Sequence, residues 1–400
     1  MTERLVGRAP LLVLVIVVAA TMLRGPILAI APVSGEIGRD LDIGAGVVGL
    51  LTTIPVLCFA ICSPVAIAII RRTGPDLALT LTLLGVVVGS VLRSVDGVAV
   101  ALVGTAVLGA FITIGNVVLP IIIAREFDAR RAHTMTGVYT AALNIGTMAV
   151  TIGTAPLADG VGWRWAIASW SVFAVVALAC WAALRGLRQV FVATTAPTAV
   201  PAVLTAAPRV RVLRQRDSWM LAVAFCGQAF AFYAISAWLP ALLIDHGFGT
   251  AAAGAIASIF QLGGIAGALL LPLISLRRSI LTGVICVGIG WLAVPLGFLF
   301  LPSLWLLWCV IGGLAQGGGM TVIFIMIVAF GDDERTSVSR SGMVQGIGYS
   351  VAATGPLLLG ALREATGGWT ASLLVALAAV LLFFSAGALV ARRFRTPHGS

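Results

Sequence analysis

Long runs of apolar residues constrain this chain more than any other feature of its sequence. Twelve stretches of about 17 to 27 mostly apolar residues follow one another, separated by breaks that are charged or contain Pro and Gly. A helix needs about 20 such residues to cross the hydrocarbon core of a bilayer. The predicted spans are 10–33, 44–70, 77–93, 98–123, 134–158, 164–184, 218–243, 251–275, 280–300, 303–329, 339–361 and 369–391.

The composition of the chain excludes most soluble classes. Of the 400 residues, 60% are hydrophobic and 10% are charged, whereas soluble domains average about 45–50% apolar and about 25% charged residues. One or two soluble domains could not remove this much apolar surface from water. The composition therefore argues against a soluble enzyme, a disordered chain and a nucleic-acid-binding module. We expect an all-α polytopic membrane protein with twelve transmembrane helices.

The basic residues predict the orientation of these spans. The 25 basic residues are all arginine, a usage typical of a GC-rich bacterial genome, and the net charge is +10. If the N-terminus is cytoplasmic, 20 arginines fall in cytoplasmic segments, four lie outside at Arg39, Arg93, Arg164 and Arg363, and Arg24 lies inside the first span. An excess of Arg in cytoplasmic loops is the usual pattern. We therefore expect a multi-pass protein of the bacterial inner membrane with both termini cytoplasmic, and no nucleic-acid partner.

The two halves of the chain resemble each other at a nearly fixed offset. The pattern predicts a six-helix half at 1–184, a cytoplasmic linker at 185–217 and a second six-helix half at 218–400. A parallel duplication of this kind is typical of the major facilitator fold, in which the substrate site lies near the midplane between the halves. The matched positions, at offsets of 205 to 208, are Arg71-Arg72 with Arg277-Arg278, Gly162-Trp163 with Gly368-Trp369, Gly49 with Gly254, and Pro32 with Pro240.

Several short segments resemble one transporter family. They are Leu23-Arg24-Gly25-Pro26, Gly115-Asn116, Gly162-Trp163-Arg164-Trp165, Ala237-Trp238-Leu239-Pro240 and Ser341–Tyr349. Together they resemble the cyanate and nitroimidazole transporters of the major facilitator superfamily, and the resemblance covers nearly the whole chain. It implies a transporter of small solutes like cyanate or nitroimidazole. The general superfamily motif after the second span is degraded, because Arg71 stands where an acidic residue is expected.

Arg24 is the one ionisable residue that the sequence places well inside a span. It lies about 4.5 Å of helix rise from the middle of the first apolar run. An arginine at such a depth costs at least about 2.5 kcal/mol and usually faces a cavity or a partner. Because no acidic residue is predicted inside any span, we expect Arg24 to bind a mobile anion or an electron-rich ligand. The alternatives are snorkelling to the outer interface, or pairing with backbone carbonyls freed by Gly25-Pro26.

Amide and phenol side chains at mid-span depth complete the predicted site. Neutral donors of this kind suit a small polar solute, although hydrogen bonds between helices would explain them equally well. The resemblance implies that helices one, four, seven and ten line the cavity, with contributions from five, eight and eleven. The expected substrate-binding residues are Arg24, Asn116, Tyr139, Gln228, Tyr233, Gln261 and Tyr349. The pocket wall is expected to contain Asn144, Phe232, Trp238, Gln316 and Gln345.

Two transport hypotheses follow. The first is a secondary active or facilitative transporter of a small anion or polar heteroaromatic solute that works by alternating access. The alternative is a proton-coupled drug or metabolite exporter of the same fold, which usually needs a carboxylate within a span. An enzyme is disfavoured, since no catalytic arrangement is recognisable, and we expect no metal and no other cofactor. The expected partners are a small-molecule substrate and the lipid bilayer, with proton coupling open, and the protein is expected to be a monomer.

Overall fold

The predicted spans lie on helical backbone. A computed structural model describes residues 9–193, 210–329 and 334–393, and the backbone of these residues forms helices and no strands. The middle of the predicted linker, residues 194–209, lies outside the described residues. Among the described helices, nine stretches are long and apolar enough to cross a membrane by length and composition, and Ala45–Ile61 is a shorter apolar helix.

The helices follow the predicted order. In the first half they are α1 (Ala9–Thr21), α2 (Gly25–Leu28), α3 (Ser34–Asp40), α4 (Ala45–Ile61), α5 (Ser63–Arg93), α6 (Val98–Glu126), α7 (Ala129–Ser169), α8 (Val172–Arg185) and α9 (Leu187–Val190). The second half contains α10 (Val210–Leu213), α11 (Arg216–Asp245), α12 (Thr250–Arg277), α13 (Ile280–Phe300), α14 (Trp305–Ala329), α15 (Glu334–Thr366) and α16 (Thr370–Ala391). Short 3₁₀ turns occupy Ala31–Val33 and Pro302–Leu304.

The chain divides into two compact units. The first contains Met1–Ile43 and Leu50–Thr205, and the second contains Gly44–Gly49 and Ala206–Ser400. Each unit is built from long helices that pack mainly on neighbours in the same unit. The predicted division at 1–184, 185–217 and 218–400 stays a proposal for how the chain is organised.

Two glycines turn long helical runs through corners. Gly74 inside α5 and Gly162 inside α7 both have φ of +79°. A side chain would strain that backbone conformation, which glycine adopts readily. The corner at Gly74 separates the second predicted span from the third, and the corner at Gly162 separates the fifth from the sixth. The second span also breaks between α4 and α5, which the sequence did not predict.

Glycines also allow α12 and α14 to pack backbone against backbone. A Cβ atom on Gly317 would lie 1.8 Å from the carbonyl oxygen of Gly264, and one on Gly267 would lie 2.0 Å from that of Leu314. Such contacts are typical of small-residue helix crossings in membranes. The Gly342-xxx-Gly346 pattern differs, because nothing lies within 4 Å of a Cβ at either glycine.

Each unit contains a cluster of Asp, Trp and Arg at the end of its first long span. In the first unit, Asp40 accepts hydrogen bonds from the Trp163 indole at 3.1 Å and pairs with Arg164 at 2.7 Å. In the second, Asp245 accepts from Trp369 at 2.8 Å and pairs with Arg363 at 2.6 Å. The two aspartates are 205 residues apart and the two tryptophans 206. The repeat read from the sequence is therefore also a repeat of side-chain contacts.

A second charge cluster ties together α5, α6 and α8. Asp76 pairs with Arg125 at 2.6 Å and with Arg185 at 3.6 Å. Glu126 is buried and pairs with both arginines, with a 2.6 Å contact to Nε of Arg125. The carboxylate next to the degraded motif is thus at position 76, two residues after the Gly74 corner.

The glycine crossing generates the first prediction. Gly317→Val should lower the free energy of unfolding by about 3 kcal/mol, because a backbone oxygen cannot move away as a flexible side chain could. Thermal denaturation in detergent, followed by size-exclusion chromatography, measures the effect. Gly342→Val is the matched control on an open helix face, and equal melting temperatures for the two variants would contradict the crossing.

The charge cluster generates the second prediction. Glu126→Gln should destabilise the protein by about 2 kcal/mol, since it removes the charge of a buried carboxylate that bonds to two arginines. Asp128→Asn is the control: its pair with Arg131 is exposed, at 3.7 Å, and asparagine also serves as an N-cap. That variant should change stability by less than about 0.5 kcal/mol. The same melting-point measurement decides, and a Glu126→Gln protein as stable as the control would refute the role of the cluster.

Candidate functional site

The first predicted span is not one continuous helix. α1 ends at Thr21, residues 22–24 form a turn, and α2 begins at Gly25. Pro26 has no N–H, so it cannot donate to the carbonyl of Met22, four residues earlier. The amides of Met22 and Leu23 instead donate to carbonyls three residues back, at 3.1 and 3.0 Å. The sequence therefore interrupts the helix within the predicted span 10–33, while Ala9–Asp40 as a whole is long and apolar enough to cross a membrane.

Arg24 lies at the end of this turn. It is the N-cap residue of α2, its φ is −133°, and its carbonyl accepts from the amide of Ile27 at 3.2 Å. The residue is half-buried, whereas Leu23 and Gly25 on either side are buried. A cation is thus carried on an interrupted helix, which is how many transporters present charged groups and backbone dipoles to solutes.

Close packing on α6 and α7 holds the turn. A Cβ at Gly146 of α7 would lie 2.4 Å from the carbonyl oxygen of Thr21, and one at Gly25 would lie 3.2 Å from that of Gly146. A Cβ at Gly115 of α6 would come within 2.4 Å of a Leu23 methyl group. Side chains at these glycines would push the turn away, so the position of Arg24 depends on them.

Two other predicted residues of the first unit meet each other. The Tyr139 hydroxyl of α7 donates to the side-chain oxygen of Asn116 on α6, at 3.4 Å, and both residues are half-buried. Asn116 directly follows Gly115, which packs on the turn before Arg24. The pair therefore lies on the helices that support the broken span.

Three glutamine side chains of the second unit, together called the amide group, are buried. Gln228 of α11 donates to the backbone carbonyl of Gln316 on α14 at 3.0 Å, and Gln261 of α12 donates to the Ser236 hydroxyl at 3.4 Å. In the described part of the chain, Oε1 of Gln228, Oε1 of Gln261 and Nε2 of Gln316 are buried without a hydrogen-bond partner. Buried polar atoms are normally satisfied, so this group has unused capacity to bind polar atoms.

Aromatic rings lie along α11 and α15 in the same unit. The ring of Tyr349 is 5.3 Å from that of Phe225 and 6.4 Å from that of Tyr233, and Tyr233 is 4.9 Å from Phe232. The edge-to-face geometry of these rings is the arrangement that aromatic pairs prefer. Tyr233, Tyr349 and Phe232 of the predicted set are therefore brought together.

Three predicted wall residues make contacts of other kinds. Asn144 donates to the carbonyl of Thr140, and Gln345 donates to the Ser341 hydroxyl, each on its own helix. Trp238 donates to the carbonyl of Pro356 at 2.7 Å. It also lines a small apolar cavity with Trp369, a residue of the Asp-Trp-Arg cluster.

Sequence reasoning missed Arg93. The sequence places it only at the outer end of the third predicted span. The side chain is 1% exposed, and the guanidinium donates from Nη1 to the carbonyl of Pro26 at 2.8 Å. The available signal was its position, as one of the four arginines that the orientation rule leaves outside. Ser236, the partner of Gln261, was also missed.

Comparisons with known proteins agree with this architecture. The sequence profile of the Major Facilitator Superfamily matches residues 11–287. The 2-nitroimidazole transporter of Escherichia coli is 31% identical over 92% of this chain and 92% of its own, and the cyanate transport protein of the same organism is 26% identical over 90% and 91%. The crystal structure of a D-xylose-proton symporter superposes with a TM-score of 0.70 over 96% of each chain, at 14% identity.

The solved structure supports the fold, and the sequence relatives identify the family. Both relatives carry transporter names and align over almost their whole length. The chain therefore belongs to the major facilitator superfamily, in the family of the 2-nitroimidazole transporter, and it is a multi-pass membrane transporter of small solutes and not an enzyme.

Proposed function

We propose that this protein is a secondary active or facilitative transporter that moves a small anion or polar heteroaromatic solute, similar to cyanate or a nitroimidazole, across the bacterial cytoplasmic membrane by alternating access. The observation that carries the proposal is the half-buried Arg24 at the broken first helix. The names of the two sequence relatives support the same substrate class.

The chemistry of Arg24 suits such a solute. A guanidinium keeps its charge at all physiological pH values and offers several donors in one plane, so it can bind a carboxylate-like or linear anion through two hydrogen bonds. Placing that charge within a membrane is expensive. The helix is interrupted at residues 22–24, and backbone at such a break is tolerated where it is buried in protein or lines a cavity.

The amide group of the second unit offers polar contacts of its own to a solute. Gln228, Gln261 and Gln316 offer two acceptor oxygens and one donor NH₂ whose capacity is unused in the described part of the chain. A nitro-heterocycle presents both acceptors and an N–H, and cyanate presents acceptors at both ends. In the same unit, the rings of Tyr233 and Tyr349 lie 6.4 Å apart and can pack against a flat solute.

The same proposal includes the orientation and the state of assembly. The distribution of arginine supports cytoplasmic termini, and the glycine-lined crossing of α12 and α14 uses small residues within one chain, as expected for a monomer. Proton coupling, as in the exporter alternative, would appear as uptake or efflux that depends on an imposed pH gradient.

The first functional prediction concerns Arg24. Arg24→Gln should lower uptake of labelled cyanate into proteoliposomes by about 10- to 100-fold, since a charged hydrogen bond to substrate contributes about 1.5–3 kcal/mol. Arg39→Gln is the control, because Arg39 is exposed on α3, where its Nε donates to the Gly35 carbonyl at 3.2 Å. Normal uptake of cyanate and 2-nitroimidazole by a folded Arg24→Gln protein would contradict the proposal.

The second concerns the buried amides. Gln228→Leu and Gln261→Leu should each raise the KM for 2-nitroimidazole by about tenfold, the effect of one lost neutral hydrogen bond. Gln345→Leu should leave KM within about twofold, since Gln345 is bonded on its own helix at 2.7 Å to Ser341. Melting temperatures of all three variants show whether the fold is kept. A KM that responds equally in the control would remove the amide group from the proposed site.

A further inference from the structure

Arg93 is a buried cation at the end of α5 that contacts the broken first span at Pro26. It is the last residue of α5 and is 1% exposed, and its Nη1 donates to the carbonyl of Pro26 at 2.8 Å. Pro26 is two residues from Arg24, at the start of α2. The guanidinium therefore holds a backbone group of the segment that carries Arg24.

The packing around Arg93 fixes the place from which it acts. A Cβ on Gly104 of α6 would lie 2.3 Å from the backbone nitrogen of Arg93. The C-terminal end of α5 is thus pressed directly against α6, as it also is at Gly89, where a Cβ would lie 2.5 Å from the nitrogen of Leu108. With its backbone held in this way, the side chain reaches Pro26 from a fixed point.

The chemistry of this contact is unusual for a buried arginine. Within residues 9–193, 210–329 and 334–393, Nε and Nη2 of Arg93 are buried and have no hydrogen-bond acceptor. An uncompensated buried charge is costly, and an apolar side chain of similar volume would pack at lower cost. The hydrogen bond to the Pro26 carbonyl is therefore the contact that can explain why an arginine occupies this position.

We propose that Arg93 is a positioning residue for substrate binding: it fixes the Pro26 carbonyl, and so the turn at 22–24, in the geometry that presents Arg24 to the solute. This inference rests on the proposed function of Arg24. The turn has lost the regular hydrogen bond that Pro26 would have donated, so a bond from another helix has a large share in setting its direction. Arg93 touches the backbone and acts on the substrate through Arg24.

The test is a double-variant cycle on uptake kinetics. Arg93→Met, Arg24→Gln and the double variant are reconstituted, and the KM and maximal rate for labelled cyanate are measured. Arg93→Met alone should raise KM roughly tenfold with the maximal rate within about threefold, and in the Arg24→Gln background it should have no further effect on KM. Independent, multiplying effects of the two substitutions, or an unchanged KM in a folded Arg93→Met protein, would overturn the positioning role.

Two further variants separate positioning from a general contribution to folding. Arg93→Lys keeps a cation and should give an intermediate KM; if Arg93→Met does not fold, this variant carries the test, and a KM equal to wild type would refute it. Arg39→Gln is the control for loss of an arginine that donates to a backbone carbonyl at an exposed place.

Hydrogen exchange without substrate distinguishes failure of this inference from failure of the proposed function. Arg93→Met should speed amide exchange at residues 22–28 by roughly tenfold and leave α11 unchanged. If Arg24→Gln transports normally while Arg93→Met accelerates exchange, the function proposed for Arg24 is wrong. The conclusion that Arg93 stabilises the turn through the Pro26 carbonyl then still holds. If Arg24→Gln loses uptake while Arg93→Met changes neither exchange nor KM, the positioning role is wrong.

Discussion

Backbone polar groups within a bilayer must find partners inside the protein, because lipid offers none. The first span of this transporter breaks that continuity at residues 22–26, where a turn precedes a proline. The consequences are visible in three contacts: bonds to carbonyls three residues back, glycines of α6 and α7 packed against the turn, and a buried arginine on the Pro26 carbonyl. The interruption is supported from several sides, which allows a cation at its centre.

The other helices of each unit pack closely together, which limits the effect of breaks such as the one in the first helix. Backbone contact between α12 and α14 in the second unit, and between α5 and α6 in the first, leaves little room for the helices to separate. Clusters of charged residues and tryptophan join the ends of the spans, and one Asp–Trp hydrogen bond recurs at repeat-related positions in both units. Closely packed units that contain an interrupted helix are well suited to a transporter, which must move solute and still keep its site geometry.

Sequence reasoning reached the fold because its determinants are periodic and long. Apolar run length, the arginine distribution and the offset of about 206 residues between matched positions are properties of whole segments. It was less successful where a contact depends on the direction of one side chain. Arg93 was not selected for the site, since charge rules assign a residue to one side of the membrane and do not predict the direction of its side chain. The acid at position 76 was overlooked for a similar reason, because the Gly74 corner is what brings it to Arg125 and Arg185.

For the candidate residues too, the sequence predicts position along a span but not the contacts of each side chain. The sequence gives the depth of each residue within its span. Depth alone therefore selects Asn116 with Tyr139, and Gln228 with Gln261. Which of them bond across helices and which bond on their own helix depends on helix rotation. Gln345 and Asn144 have the same depth and chemistry as the others, yet each donates to a partner four residues away on its own helix.

The central claim is that Arg24, at the break in the first helix, binds the transported solute directly. Solid-state NMR of the reconstituted protein, with ¹³C-labelled cyanate and ¹⁵N-labelled arginine, measures this contact through the dipolar coupling between the cyanate carbon and guanidinium nitrogens. The account predicts a coupling in the wild-type protein that disappears in Arg24→Gln and persists in Arg39→Gln. A coupling that survives Arg24→Gln, or bound cyanate with no coupling to any arginine, would contradict it.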